Sequence, residues 1–432
     1  MKLYSTQNPS SYFSLKEAVI KGLPDDNGLF MPTVLPSLSG DFISNLSKYS
    51  FSEIALTVAK NLIQDSIPIS ALESIIFNAI NFPAPIVQLD DNHHILELFH
   101  GPSLAFKDFG ARFMAQTMSF FNKDEDKELV ILVATSGDTG GAVASGFYDT
   151  PGIKVVILYP SGKVSDLQEK QLTTLGKNIT ALEINGTFDD CQALVKQAFL
   201  NKDLTQSIRL SSANSINIAR LIPQSFYYFE AYKQVDTSRD VVFAVPSGNF
   251  GNITAGLFAK KMGLPIHHFI AATNVNDVVP HYLKMGSYEQ KPSIATISNA
   301  MDVGNPSNFA RMLDLYGSTW NNMKEEISGY SFNDDSTRLG IKEVFDRYAY
   351  IIDPHGAVGY LAFKAYLEEN PGKLGVILET AHPSKFLDVV EPVLNTTIDV
   401  PERLAVLADK EKQATYLEKD FSSFKDWLLD NY

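Results

Sequence analysis

The 432-residue chain has one cysteine, Cys191, which excludes an intrachain disulfide framework and any multi-cysteine metal site. It holds no run of about 18 uncharged apolar residues, the length a helix needs to cross a bilayer, so no membrane partner is expected. Its opening stretch, MKLYSTQNPSSYFSLKEAV, lacks the apolar core of a secretory signal, and a cytoplasmic location is the expectation. A basic face is missing too. The net charge of −14 is spread along the chain and argues against nucleic acid as a partner. Neither a GxGxxG turn nor a GxxxxGK loop followed by Ser or Thr occurs, which removes dinucleotide and P-loop chemistry from first consideration. Internal repeats and low-complexity segments are likewise absent.

What is present is ordinary for a protein with a large core: 45% hydrophobic and 20% charged residues, on a length that suggests two or three domains. Amphipathic, helix-length stretches such as SEIALTVAKNLIQ and SALESIIFNAI mark the N-terminal part, broken by turns such as LPDDNGLFMP. From Glu128 onward short β-branched runs alternate with helical segments. ELVILVA, IKVVILYP, NITALEI, DVVFAVP, IHHFIAA and KLGVILE read as strands. GAVASGFYD, VSDLQEKQLTTLG, DDCQALVKQAFLN, LIPQSFYYFEAYKQV and ITAGLFAKKMG read as helices. Strands that are apolar throughout and separated by helices predict an α/β fold with mostly parallel sheets covered on both faces.

Two strand-to-helix junctions are rich in small polar residues: TSGDTGG (Thr135–Gly141) and PSGNFGN (Pro246–Asn252). Such a turn offers free backbone N–H groups and the positive end of a helix dipole, which suits a phosphate. The stretch HGPSLAFKDFGARF places Lys107 among Leu104, Ala105, Phe106 and Phe109. A lysine there either packs its stem and keeps its head in water, or is desolvated so that a neutral amine can attack a carbonyl. A reactive lysine together with a phosphate cup is the minimum kit for pyridoxal phosphate. Asp108-Phe109-Gly110 spells a kinase triplet, but no other kinase motif accompanies it.

In order along the chain, YFSLKEAVIKGLPDDNGLFMP, HGPSLAFKDFG, ATSGDTGGA, SSANSINIARLIPQ, PSGNFGNITAG and ETAHPSKF resemble the motifs of the threonine synthase family. That family lies within the fold-type II, tryptophan synthase β-like pyridoxal-phosphate enzymes. The resemblance runs the length of the chain and is to the longer bacterial and fungal form. It implies that Lys107 forms the Schiff base with the cofactor, with Phe106 beside the ring. Gly248, Asn249, Phe250, Gly251 and Asn252 would cup the cofactor phosphate, and Thr380 would meet the pyridine nitrogen. Asp138 stands where many relatives carry an asparagine that meets the cofactor 3′-oxygen. The substrate implied is O-phospho-L-homoserine, with Ser136, Thr139, Asn214, Asn217 and Arg220 as donors to its phosphate. The spacing of Asn214, Asn217 and Arg220 would let one helix face present all three.

The implied reaction removes an α-proton and a β-proton, expels phosphate from the γ-carbon and adds water at the β-carbon. The competing readings are a phospho-lyase or dehydratase that releases a keto acid, and a non-catalytic protein that binds a phosphorylated amino acid. Expected domains are an N-terminal region, 1–100, joining the large domain; a smaller α/β domain, 101–215; and the large α/β domain, 216–432. The cofactor would sit in the cleft between them. Monomer and homodimer are equally compatible with this reading, and no metal is expected. His100, His355, His382 and Lys385 lie in motif-like loops without an assigned role, and Cys191 reads as packing.

Overall fold

The computed structural model describes residues 1–135 and 137–432. In chain order the strands are β1 (Lys2–Ser5), β2 (Asn8–Ser14), β3 (Phe30–Pro32), β4 (Ile86–Gln88) and β5 (His93–Glu97). They continue as β6 (Leu129–Ala134), β7 (Ile153–Pro160), β8 (Ile179–Asn185), β9 (Arg209–Ser212) and β10 (Val241–Pro246). The last four are β11 (His268–Thr273), β12 (Ile327–Ser331), β13 (Leu374–Glu379) and β14 (Thr415–Glu418). They form a small antiparallel sheet, β2-β1-β3, a six-stranded sheet, β12-β11-β10-β13-β5-β4, and a five-stranded sheet, β14-β8-β7-β6-β9. Every pairing in the two larger sheets is parallel except β4 with β5. The chain is thus of the α/β class, as its alternating pattern predicts.

The apolar runs are continuous because both faces of each strand are covered. In β6, Leu129, Ile131 and Val133 enter one cluster with Phe113 and Val143, whereas Val130, Leu132 and Ala134 enter another. Cys191 and Leu194 of the helix Phe188–Leu200, with Phe424 and Leu428 of the last helix, complete that second cluster. Successive side chains of a strand point to opposite faces, so a strand covered on both is apolar along most of its length. The six-stranded sheet follows the same logic. Phe243 and Val245 face the main cluster, and Val242 and Ala244 face the helix Pro354–Glu369 through Val358 and Phe363.

Three features differ from the sequence expectation. LIPQSFYYFEAYKQV is not one helix. It divides into Ile218–Leu221, a 3₁₀ turn Ile222–Ser225 and the helix Phe226–Tyr232, because Pro223 cannot donate to a continuous ladder. Strands β4, β5, β12 and β14 carry too many polar or exposed residues to stand out. The C-terminal strand β14 pairs with β8 of the five-stranded sheet, opposing Thr415 to Leu182. Among the described residues, no helix is long and apolar enough to cross a membrane.

The last helix, Phe421–Asn431, therefore covers a sheet whose other strands lie far upstream. Leu428 is fully buried on it. Leu428→Ala is expected to destabilise the protein by about 2–4 kcal/mol, as a large-to-small change in a packed core does. Urea unfolding followed by circular dichroism checks it.

Candidate active site

The carboxyl ends of β6, β9, β10 and β13 open onto one cleft of about 2100 Å³, roomier than the few hundred Å³ that one small ligand requires. Beyond β13 the chain runs through Thr380, Ala381 and His382. Leu104 to Phe106 dock there as a short antiparallel clasp. The Phe106 N–H donates to the Thr380 carbonyl at 2.9 Å, the His382 N–H donates to the Leu104 carbonyl at 3.0 Å, and Ala105 bridges Ala381. Leu104 is buried with φ +60°, in the left-handed region that few non-glycine residues adopt. Such strain persists only where surroundings impose it. Here it turns the chain so that the helix Lys107–Asn122 starts with Lys107 in the cleft wall.

The Lys107 side chain is 15% exposed. Its Nζ stands 3.8 Å from Asp138 Oδ2 and 5.5 Å from the Phe106 ring centre, and makes no hydrogen bond among the described residues. Burial lowers its pKa from the usual lysine value. The Asp138 carboxylate opposes this shift, Lys385 and Arg220 add to it, and Asp353 weakly opposes it. Asp138 begins the helix Asp138–Phe147 and accepts from Lys385 Nζ at 2.6 Å and Gln168 Nε2 at 2.9 Å, both through Oδ1. Burial works against its ionisation, but the Lys385 cation, the nearby Lys107 nitrogen and the Gln168 amide outweigh burial and hold its carboxyl well below the carboxylate range.

The two glycine-rich junctions are not equivalent. At the first, Thr135 Oγ1 already accepts from the Gly137 and Gly140 N–H groups, at 3.0 and 2.8 Å. At the second, Phe250 adopts a left-handed conformation (φ 58°) and the helix Gly251–Lys261 follows. Among the described residues, no backbone N–H from Gly248 to Ile253 donates to a protein group. The first to do so is that of Thr254, to the Phe250 carbonyl at 3.2 Å. An array of free N–H groups at a helix N-terminus is an anion cup. The side chains around it serve as scaffolding. Asn249 bonds Ser215 Oγ and the Ser307 N–H, each at 2.5 Å, and Asn252 Oδ1 accepts from Tyr227 and Tyr228 at 2.7 and 2.8 Å. A Cβ on Gly248 would lie 2.4 Å from the Ala300 carbonyl oxygen, so no larger residue fits there.

Phe106, Lys107, Asp138, Thr139, Asn214, Arg220, Gly248 to Asn252 and Thr380 all line the cleft. Ser136 lies outside the described residues. Asn217 departs from the expectation. Its amide donates to the Val19 and Ser212 carbonyls at 2.9 and 3.3 Å, and its oxygen accepts from the Ala219 N–H at 3.0 Å. It caps a helix that starts only at Ile218, so Asn214 precedes that helix and no helix face carries the three residues together. Arg220 is 2% exposed and donates to the Ala213 carbonyl at 2.6 Å, while its Nε has no partner among the described residues. Burial lowers its pKa to about 10, with Asp108 opposing, so it remains a cation at neutral pH.

The sequence reading left several neighbours without a role. Lys385 is buried beside Asp138, and Gln168 reaches the same carboxylate from the helix Asp166–Thr173, with nothing in its local sequence to mark it. Beneath Thr380, Glu379 is fully buried, and burial beside the Asp353 and Glu97 carboxylates pushes its carboxyl well above the usual range. Asp108 is buried next to Lys107 and accepts from the Ser103 N–H at 2.8 Å. Burial pushes its carboxyl up to about 6, the Ser103 bonds and the Lys385 charge opposing.

The residues present fit pyridoxal phosphate: an amine without a hydrogen-bond partner among the described residues, an open anion cup, and a Thr380 hydroxyl at the end of a strand whose adjacent carboxyl is pushed by burial toward its uncharged form. Comparisons with known proteins agree. A family model described as "Pyridoxal-phosphate dependent enzyme" matches residues 82–379. Models of the threonine synthase N terminus and C-terminal region match 2–80 and 356–428. The chain is 46% identical to threonine synthase of Escherichia coli (strain K12), over 100% of each. Its fold matches the crystal structure of the Escherichia coli threonine synthase, with TM-score 0.93 at 45% identity and 100% of each chain covered. It also matches a pyridoxal-phosphate-bound threonine synthase from Brucella melitensis, with TM-score 0.92 at 34% identity, covering 99% of this chain and 98% of the other.

Two outcomes test this geometry. Gly248→Ala is expected to weaken pyridoxal phosphate binding at least about tenfold, since the new methyl meets backbone rather than a movable side chain; fluorescence titration of the cofactor measures it. Asp108 has a folded pKa of about 6 against about 3.9 unfolded. It therefore costs stability as pH rises through that window and costs nothing below it. Asp108→Asn should gain about 1–3 kcal/mol over the parent at pH 8 and nothing near pH 3.5, as read from urea unfolding across pH.

Proposed function

Since the chain belongs to the threonine synthase family of pyridoxal-phosphate-dependent enzymes, we propose that it converts O-phospho-L-homoserine and water to L-threonine and inorganic phosphate. The observation that carries this reading is the pairing, in one cleft, of the unpaired Lys107 amine with the open N–H cup at Gly248–Asn252. When bound, pyridoxal phosphate supplies an aldehyde for the lysine amine and a conjugated ring that takes up the electron pair left at the α-carbon.

The protein's own groups do the rest. Backbone N–H groups from Gly248 to Asn252 would hold the cofactor phosphate, and Phe106 would lie beside its ring. The Thr380 hydroxyl would meet the ring nitrogen as an uncharged partner, and Glu379 behind it is pushed by burial toward its uncharged form. Asp138 would serve the ring-oxygen side. Arg220, buried and without a carboxylate within 4 Å among the described residues, favours a dianion, and Asn214 and Thr139 lie beside it in the cleft wall. An arginine fork suits phosphate oxygens. Asn217 serves this site by shaping the turn rather than by touching substrate.

Lys107 Nζ is the base placed to take the α-proton and then a β-proton, and to return one proton at the γ-carbon after phosphate departs and the other at the α-carbon after water adds. The hydroxide part of water adds at the β-carbon, its proton passes to the released phosphate, and the γ-carbon becomes the methyl group of the product. In the same proposal residues 101–215, with the C-terminal strand and helix, form a smaller domain that closes on the larger one. A cytoplasmic site of action is also part of it, because a doubly charged phosphorylated amino acid does not pass a bilayer unaided.

Product analysis on O-phosphohomoserine tests the reading: threonine and phosphate should appear in equal amounts, and a keto acid with ammonia as main products would overturn it. Lys107→Ala should lower turnover about 10³-fold and abolish the covalent cofactor adduct that borohydride traps at residue 107.

A further inference from the structure

Two lysines reach the same buried carboxylate, and they reach it unequally. Lys385 Nζ lies 2.6 Å from Asp138 Oδ1, whereas Lys107 Nζ stands 3.8 Å from Asp138 Oδ2. Lys385 also donates to the Ser103 carbonyl at 2.9 Å, which Gln171 Nε2 holds from the other side at 3.1 Å. Gln168 fixes the carboxylate at 2.9 Å. The Lys385 and Asp138 side chains are 1% and 6% exposed, so neither water nor salt can stand in for a missing partner. One carboxylate cannot neutralise two buried ammonium groups, and breaking up a buried pair is strongly unfavourable.

We propose that Lys385 is a positioning residue: by closing an ion pair with Asp138 it leaves Lys107 Nζ without a counter-ion of its own, and so as a neutral amine. The Asp138–Lys385 unit is neutral as a whole. What then acts on Lys107 is burial and the Arg220 cation, which disfavour an ammonium, against Asp353, which favours one. The inference rests on the reading of Lys107 as the amine that joins the cofactor. Its test uses the full-length chain freed of cofactor, so that either can fail without the other.

The experiment labels surface and cleft amines with acetic anhydride at a series of pH values and follows acetylation of Lys107 by mass spectrometry. In the parent, the Lys107 midpoint should fall below the ordinary lysine value of about 10.4. Lys385→Met frees Asp138 to pair with Lys107, and should raise the midpoint by about one pH unit or more, a roughly tenfold slower labelling at pH 8. Removing both partners, in D138N/K385M, should bring the midpoint back to the parent value or below, and Lys385→Arg should leave it unchanged. A lysine that merely props up the fold would not give this reversal. An ordinary midpoint in the parent overturns the proposal without any variant having to fold. An unmoved midpoint in K385M, or one that stays high in the double variant, overturns it equally.

Discussion

The structure turns on the backbone clasp between Leu104–Phe106 and Thr380–His382. The two segments lie far apart in sequence, and their two hydrogen bonds bring the first turn of the helix Lys107–Asn122 to the end of β13. Everything reactive is measured from that contact. It sets Lys107 beside the strand end that carries Thr380. It also fixes Ser103, whose carbonyl anchors Lys385 and whose N–H anchors Asp108. The left-handed Leu104 is the local expense of this arrangement, and the buried bridge Ala105–Ala381 keeps it from relaxing.

Around the clasp, buried charge is handled by three different means. Asp138 is neutralised by contact with a cation. Glu379 and Asp108, pushed upward by burial, are held toward their uncharged forms. Arg220 stays charged with no ion pair within 4 Å among the described residues, the Asp108 carboxyl acting only from farther off. Uncompensated burial of a guanidinium is unfavourable by itself, so the free cleft wall carries a standing preference for an incoming anion. The N–H groups at Gly248–Asn252 add a second preference of the same sign from an element on the other sheet.

How much of this the sequence disclosed follows from where the determining contacts lie. The strands β6, β7, β8, β10, β11 and β13 were legible because burial on both faces leaves a local, mostly apolar signature. β12, reading ISGYS, and β14, reading TYLE, owe their pairing to partners distant in sequence and carry no such mark. Lys107 and the Gly248–Asn252 turn were legible because a motif surrounds each. Asn217 was misplaced because helical spacing assumed a helix that the chain does not begin until Ile218. Lys385 and Gln168 were without a role because what defines them is the carboxylate of Asp138, which lies on a different element and, for Lys385, on the other sheet.

The pairing of β14 with β8 has a bearing on how the molecule is made. Leu182 waits for Thr415, so the five-stranded sheet keeps β8 as an unpaired edge until a strand far downstream in sequence has been made. Contacts of such long range form late and slowly, and an exposed parallel edge in the interval is a surface on which partly made chains can pair with one another. The strand β14 and the helix after it thus act as a late latch on assembly: the sheet that contributes Asp138 to the cleft gains its outermost strand only after all its others have been made.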